Sequence, residues 1–485
     1  MLIRVLVISL YLFMLGACTL GPDYERPPVA DPDSFRMQQG PTLEEVSLAD
    51  LGWWELFQDE NLQSLIRKAL VENKDVRIAV ARVREARAQL AGTGADQLPR
   101  IDGNSSIQRN QPSGAVARQF GFPGSIPQIP ATNQFRATAD LSFELDFWGK
   151  LRRATEAAQA DLFARESARR TVVLTLVSDL ATAYFELRAL DAELEFAKRT
   201  LKARQEAFDL VRLRKFVGQR STRDIRREEQ EVARARAVIP DLERQIGQKE
   251  HQLSLLMGRN PAPIVRGISL RDQPLPPEVP AGLPSALLER RPDIVEAEQR
   301  LVAANAKIGV AKAAFFPQIS LTGNFGAQSL QFSELFVGYT RVWTFGPSLT
   351  VPLFDAGRNL ANLEMSQAQR EQAVITYEKT IQQAFREVED ALIAHQKNRE
   401  ILTERERVVD LSREALELAK LEYLNGTVSY LEILMAQREL FNAETALVQT
   451  QRNQLLAVVQ LYKSLGGGWI PQPTSQDLAM REVPK

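Results

Sequence analysis

Residues that could carry catalysis or bind a metal are few and scattered. The chain of 485 residues has one cysteine, Cys18, and two histidines, His251 and His395, which are too few for a Cys/His metal centre. It has no nucleophile elbow and no phosphate-binding loop. Its 60 basic and 61 acidic residues nearly cancel, so no net field attracts nucleic acid. The sequence therefore predicts no catalytic residues, no metal site and no nucleic-acid partner.

Cys18 has the clearest chemistry, and its surroundings indicate acylation. Arg4 precedes an apolar run over 5–15 that suits a signal peptide and is too short to span a membrane. The sequence Leu15-Gly16-Ala17-Cys18 resembles a bacterial lipoprotein cleavage box. That resemblance implies removal of 1–17, a covalent lipid on Cys18 and, with Thr19 next, sorting to the outer membrane. The alternative is an ordinary signal peptide with a chance cysteine. No other cofactor is expected.

The chain contains the same unit twice. Three glycines recur at a constant offset of 208 residues, as the pairs Gly149 and Gly357, Gly218 and Gly426, Gly258 and Gly466. Each copy is predicted to contain a helix, a β-hairpin, a long helix, a tight turn and a returning helix. The first helix is predicted over about 60–98 in the first copy and over 285–316 in the second.

This repeat sets the predicted domain organisation. Residues 1–17 form the lipoprotein signal peptide, 18–58 an N-terminal lipid-anchored extended segment, 59–284 the first repeat, 285–470 the second repeat and 471–485 a C-terminal tail. Within the repeats we predict hairpins over 100–147 and 317–354, long helices over 151–215 and 358–423, return helices over 221–257 and 427–464, and an equatorial linker over 261–284.

Three of the predicted strands alternate strictly between apolar and polar residues, and the strand near Ile101 to Ile107 alternates more weakly. In 135–147 the odd positions are all apolar, and 343–353 and 319–325 repeat the pattern. Strands of this length with one apolar and one polar face fit a membrane β-barrel with a wet lumen. A soluble sandwich of hairpins is the alternative. No run of 18 apolar residues follows Cys18, so we expect membrane insertion through strands.

The long helices are several times the usual length. Neither 151–215 nor 358–423 contains a proline or a glycine, and at a rise of 1.5 Å per residue each spans roughly 100 Å. In the first, apolar residues keep the alternating four- and three-residue spacing of a coiled-coil seam at Leu176, Leu180, Ala183, Leu187, Leu190, Leu194, Ala197 and Leu201.

Four strands cannot close a membrane barrel, because the smallest such barrels have about eight. An open edge in lipid is forbidden, so the barrel must be shared between subunits. Two subunits supply eight strands and a nearly filled interior, whereas three supply twelve and a passable lumen. The fold class predicted from the residues is mainly α with a shared membrane β-barrel, which the long helices continue as an α-helical barrel into the periplasm.

Several stretches resemble the outer-membrane efflux protein family, in its lipoprotein branch. They are Cys18 with 21–24 (GPDY), 53–54 (WW), 143–150 (FELDFWGK), 288–294 (LERRPDI), 314–317 (AFFP), 351–357 (VPLFDAG) and 465–469 (LGGGW). The resemblance implies a homotrimer, a twelve-stranded barrel in the outer membrane, and docking to a periplasmic adaptor and an inner-membrane pump. The implied function is an exit duct that passes small molecules passively to the cell exterior. It leaves the cargo open.

The resemblance also implies that the turns at Gly218 and Gly426 surround the periplasmic aperture of the duct. Asp224 and Glu432 lie six residues beyond these glycines, at equivalent repeat positions. We hypothesise that three copies of Glu432 attract cations at this gate, with Tyr423 latching neighbouring helices. The alternative is that Glu432 simply faces water or pairs with Arg438, six residues further on.

Two further readings compete with these. A basic run near the first turn, which includes Arg214, either contacts an acidic adaptor surface or forms a hydrated helix face. For the whole chain, a lipid-anchored periplasmic coiled-coil adaptor or scaffold explains the helices and the anchor, but not four amphipathic strands placed symmetrically in two repeats.

Overall fold

The computed structural model describes residues 19–29, 35–36, 48, 51–111, 131–216, 221–274 and 284–467. In chain order the elements are α1 (Trp53–Leu56), α2 (Glu60–Glu72), α3 (Lys74–Ala95), β1 (Arg100–Asn110), β2 (Thr132–Leu145), α4 (Lys150–Phe216), α5 (Thr222–Leu256), α6 (Leu287–Arg290), α7 (Pro292–Ala313), β3 (Gln318–Ser329), β4 (Arg341–Thr350), α8 (Arg358–Leu424) and α9 (Tyr430–Ser464). The expected fold class is confirmed in that the chain is mainly helical with a few antiparallel strands.

The chain divides into two compact units. The first lies within Met1–Pro27, Arg84–Ala164 and Glu298–Thr376, and the second within Pro28–Val83, Arg165–Ala297 and Tyr377–Lys485. The first contains the four strands and the second most of the helical residues. None of the helices in the described ranges is both long enough and apolar enough to cross a membrane.

The two long helices, α4 and α8, have 67 residues each and run without a break. A glycine with positive φ directly precedes each helix, Gly149 at 75° and Gly357 at 84°. Glycine suits these positions because a side chain disfavours the left-handed backbone. The expected seam of α4 lies in the core of the second unit, where Leu180, Ala183 and Leu187 are fully buried.

The shorter helical segments are more broken than their sequence pattern suggests. A continuous helix over 60–98 was expected, but Asn73 leaves the helical conformation between α2 and α3. Its Oδ1 accepts hydrogen bonds from the backbone N–H groups of Asp75 (2.8 Å) and Val76 (3.0 Å) and so caps α3. Its Nδ2 donates to the carbonyl of Leu256 (2.8 Å), at the end of α5. The break therefore serves a tertiary contact.

The helix expected over 285–316 is interrupted between α6 and α7. Pro292 takes the first position of α7, where the missing N–H is not needed. The preceding Arg291 is buried and forms ion pairs with Asp293 (2.6 Å) and Glu387 (2.9 Å). It also donates to the carbonyl of Ser464 (3.0 Å), so one guanidinium joins α7, α8 and the end of α9.

The four strands form one antiparallel sheet in the order β1-β2-β3-β4. The β2–β3 pairing joins the two repeats, with Phe143 opposite Leu321 and Asp140 opposite Asn324. One face carries the apolar residues of the four strands except Val342, and the other carries polar residues such as Asp102, Asp140, Asn324 and Thr344.

A buried carboxylate, Asp59, organises the core of the second unit. It is only 1% exposed, and its Oδ1 accepts from two amides in the first turn of α2. Its Oδ2 accepts from the hydroxyl of Tyr184 (2.8 Å), the backbone N–H of Ile268 (3.0 Å) and Nε2 of Gln273 (3.0 Å). Burial by itself raises the pKa of Asp59, but the hydrogen bonds from Gln273 and Tyr184 outweigh it and lower the pKa below its usual value.

We expect Asp59→Asn to lower the free energy of unfolding by about 3 kcal/mol, because the new NH2 group faces donors that have lost their acceptor. Denaturant unfolding in detergent, followed by circular dichroism, measures this. In the wild type the Asp59 contribution is complete above the unfolded-state pKa of about 3.9 and is lost as the pH falls through the lower folded-state pKa.

The exposed carboxylate of Asp272, which accepts from Ser269 Oγ, supplies the control. Asp272→Asn is expected to change the unfolding free energy by less than about 0.5 kcal/mol. Equal unfolding curves for the Asp59 and Asp272 variants contradict the role given to Asp59.

Candidate functional site

The turn between α8 and α9 is built around Gly426, whose φ is 77°. The N–H of Gly426 donates to the carbonyl of Tyr423 (3.0 Å), and the N–H of Thr427 donates to the carbonyl of Glu422 (3.0 Å). Both bonds satisfy carbonyls that the end of a helix leaves free. The equivalent turn of the first repeat, with Gly218, lies outside the described residues.

Glu432 lies in the first turn of α9 and is exposed. Ser429 occupies the N-cap position of this helix, and Ser429 with Glu432 matches the sequence pattern of a capping box. The structure does not form that box, since the Ser429 side chain makes no capping hydrogen bond. In the described part of the chain, the carboxylate of Glu432 has no hydrogen-bond or ion-pair partner. Met435 and Glu439 share its exposed face.

Asp224 occupies the equivalent position in α5 but is used differently. Its Oδ2 accepts from the N–H and from Oγ of Ser221 (3.0 Å each), while its own N–H donates to Ser221 Oγ (3.3 Å). This capping box satisfies the start of α5. One turn further, Glu228 is only 2% exposed. The face of α5 that carries Asp224 and Glu228 is therefore partly buried, whereas the face of α9 that carries Glu432 is exposed.

Tyr423 stands where the ends of the two long helices meet. Its hydroxyl accepts a hydrogen bond from Nη1 of Arg214, whose guanidinium carbon lies 5.5 Å from the centroid of the Tyr423 ring. The rings of Tyr423 and Tyr430 have centroids 5.4 Å apart. Tyr423 thus joins α8 to α4 and to α9 within one chain.

Arg214 becomes a functional candidate through its hydrogen bond to Tyr423. The sequence pattern predicts it only as one member of a basic run. Its separation of 209 residues from Tyr423 nearly equals the repeat offset, so the repeat itself placed both residues at equivalent helix ends. That signal was present in the sequence but does not say which side chains meet.

Cys18 lies outside the described residues, but the segment that follows it is held firmly in the first unit. The N–H of Leu20 donates to the carbonyl of Trp148 (3.1 Å). Gly21, with φ 106°, lies so close to Gly309 that an added Cβ would be 2.6 Å from the Gly309 Cα. Asn305 Nδ2 donates to the carbonyl of Pro22 (2.9 Å). We call residues 19–27 the strap.

The strap is fixed further along by a charged group. Arg26 donates from Nε and Nη2 to the two oxygens of Glu298, at 2.7 Å each. This fork geometry is the strongest arrangement for an Arg–carboxylate pair. The hydroxyl of Tyr24 donates to the same carboxylate (3.0 Å). Chain leaving the position of Cys18 is therefore held against the beginning of α4 and along α7.

Metal binding has no candidate site in the described ranges. No three His, Cys, Asp or Glu residues among them are grouped so that they could hold an ion. The arrangement instead offers an exposed carboxylate near a helix–helix turn, a contact between Arg214 and Tyr423, and a docked strap.

Comparison with known proteins identifies the family. A family model described as outer membrane efflux protein matches residues 65–259 and 283–467. The chain belongs to this family. The expected family, the outer-membrane location and the efflux function are thereby confirmed.

Relatives cover nearly the whole chain. It is 38% identical to the toluene efflux pump outer membrane protein TtgC of Pseudomonas putida, over 98% of this chain and 97% of TtgC. It is 35% identical to the "Probable outer membrane lipoprotein SilC" of Salmonella typhimurium, over 96% of this chain and 99% of SilC. Among solved structures, the open-state MtrE outer membrane channel of Neisseria gonorrhoeae is similar with a TM-score of 0.83 and 34% identity, over 93% of this chain and 99% of MtrE.

The packing of Gly21 against Gly309 in the strap can be tested by substitution. Gly21→Ala is expected to loosen residues 19–22, because a Cβ meets Gly309 and disfavours the positive φ. The Leu20 amide should exchange its hydrogen roughly tenfold faster, which corresponds to about 1.4 kcal/mol less protection. Gly92→Ala is the control, since nothing lies within 4 Å of an added Cβ there. Unchanged exchange at Leu20 contradicts the close approach.

Proposed function

We propose that three copies of this chain form the passive exit duct of a tripartite efflux system. The sheet carries this proposal. Within the described chain, β1 pairs only with β2 and β4 only with β3, so two edges are left open. Three copies pool twelve strands and pair every edge, with the apolar faces toward lipid and the polar faces toward a wet lumen.

The partners in this proposal are a periplasmic adaptor and an inner-membrane pump. The similar protein TtgC is named as the outer membrane protein of an efflux pump, which supports a pump partner for this chain as well. The duct itself has no energy source among its described residues, so it passes what the pump delivers. The pump therefore selects the cargo.

The gate in this proposal consists of Glu432, Asp224 and Tyr423. Three exposed Glu432 side chains around a narrow axis place a ring of negative charge in the path of ions. Asp224 contributes by capping α5 and so fixing the start of the equivalent return helix. Tyr423 holds the ends of α4 and α8 together through Arg214, and opening requires this contact to break.

The anchor in this proposal is a covalent lipid on Cys18. Thr19 directly follows that residue and lies against Gly149, such that an added Cβ on Gly149 would be 2.7 Å from Thr19 Cγ2. The first described residue after Cys18 therefore lies beside the junction of β2 and α4. The name of SilC as a lipoprotein supports the same chemistry for this chain.

We expect the purified protein to be a trimer by light scattering and to form cation-selective pores in planar bilayers. Glu432→Gln is expected to lower the cation-to-anion permeability ratio by at least about twofold, because it removes three charges from one ring. Reversal potentials in a potassium chloride gradient measure this ratio, and titration with multivalent cations measures block.

Asp224→Asn is the matched comparison at the equivalent repeat position. It is expected to lower thermal stability while changing selectivity less than Glu432→Gln, because Asp224 is engaged in its own helix cap. A stable monomer would sink the shared-barrel proposal. Unchanged selectivity and cation block in Glu432→Gln would place the ring elsewhere.

Cys18→Ser is expected to abolish incorporation of labelled palmitate, since the chain has no other cysteine. Pore formation is expected to persist, because the strands bury their own apolar faces. Labelled palmitate in the variant would show that the lipid is attached at another residue.

A further inference from the structure

The loop between β3 and β4 is unusually apolar for a connection at the end of a hairpin. Leu330, Phe332, Phe336 and Tyr339 expose between 63% and 81% of their surface. Isolated exposed apolar residues are common, but a contiguous group marks an interaction site. Ten residues thus present four large apolar side chains without covering within the described chain.

The loop has a defined conformation and lies over the apolar face of the sheet. The rings of Phe332 and Phe135 have centroids 5.6 Å apart, and Phe135 belongs to the apolar face of β2. Ser329, on the same face of β3, is buried. Thr340 Oγ1 donates to the carbonyls of Leu335 (2.8 Å) and Val337 (2.6 Å) and fixes the return into β4. The loop therefore extends the apolar face.

A cation lies on this same apolar face. Arg341 is the first residue of β4 and pairs with Ala327, in phase with Trp343 and Phe345. It is exposed, and the described residues offer its guanidinium no hydrogen-bond or ion-pair partner. The one carboxylate of the loop, Glu334, is not paired with it. In the proposed duct this face meets lipid, where an unpaired cation is costly unless something outside the chain supplies negative charge.

The chemistry of this surface fits one kind of partner. Tyr339 and Trp343 stand two residues to either side of Arg341, and amphipathic aromatic rings favour the boundary between acyl chains and headgroups. The planar guanidinium of Arg341 matches a phosphate group. The loop lies at the end of the hairpin away from α7 and α8, so in the proposed duct it faces the outer leaflet.

We propose that this loop and Arg341 form a docking surface for the phosphorylated glycolipid of the outer leaflet. Phe332, Phe336 and Tyr339 enter the acyl–headgroup boundary, and Arg341 binds a lipid phosphate. This inference rests on the proposed function, which places the apolar face of the sheet in the outer membrane.

The test measures binding of lipid A to the full-length acylated trimer in detergent. Arg341→Gln is expected to weaken lipid A binding roughly tenfold, as the loss of a charge-assisted hydrogen bond implies. It should leave the binding of lipid A stripped of both phosphates unchanged. Phe336→Ser with Tyr339→Ser should weaken both. Arg358→Gln, which changes an exposed arginine at the start of α8, beyond the other end of β4, should weaken neither.

Several outcomes would overturn the proposal. They are equal lipid A affinity in Arg341→Gln and Arg358→Gln, equal wild-type affinity for lipid A and for its dephosphorylated form, and displacement of lipid A by inorganic phosphate at millimolar concentration. Arg341→Lys guards against misfolding, because it keeps the charge and should retain most of the binding. Light scattering confirms that each variant is assembled.

Planar-bilayer recordings on the same preparations separate this inference from the proposed function. Arg341→Gln should conduct as the wild type does, since Arg341 lies on the face turned away from the polar side chains. A wild-type chain that binds lipid A through Arg341 and forms no pore would overturn the duct and support the docking surface. Normal pores with lipid A binding that ignores Arg341 would do the reverse.

Discussion

The pairing of β2 with β3 keeps the apolar and polar residues of two separate repeats on common faces of one sheet. At Gly326 the two strands are so close that an added Cβ would lie 2.1 Å from the carbonyl oxygen of Ala137. A slip of one residue would move Phe143 and Leu321 to the polar face. The two-sided sheet, and with it every role proposed for strands and loop, depends on this register.

The equivalent helix turns show how one repeated sequence acquires two roles. Asp224 and Glu432 occupy the same position in the repeat, yet Asp224 closes a capping box with Ser221 and Glu432 leaves Ser429 without a side-chain bond. The aspartate supports its own helix, whereas the carboxylate of Glu432 is exposed and has no hydrogen-bond partner among the described residues. An acidic position can therefore be kept in both repeats while its charge is displayed in only one.

Buried polar groups hold the second unit at the points where its helices break. Asp59 links the start of α2 to the connection after α5, Asn73 links α2 to the end of α5, and Arg291 links α7 to α8 and α9. Each group has partners for its hydrogen-bonding atoms, so burial does not leave an isolated charge or dipole.

The sequence by itself determined the elements whose pattern is local and strong. The absence of proline and glycine predicted α4 and α8, and period-two alternation predicted the strands. The offset of 208 predicted the repeat, because each copy must fold by the same local rules. Motifs in both halves predicted the family.

The tertiary structure decided which side chains meet, since contacts such as Arg214 with Tyr423 or Arg26 with Glu298 depend on packing across hundreds of residues. It also decided where helices break. The helix ends at Asn73, whose side chain donates a hydrogen bond to the carbonyl of Leu256, and no local sequence pattern predicts this contact. Finally, it decided that Asp224 and Glu432 differ in their contacts. The carboxylate of Asp224 accepts hydrogen bonds from Ser221, whereas that of Glu432 is exposed, and side-chain geometry sets this difference.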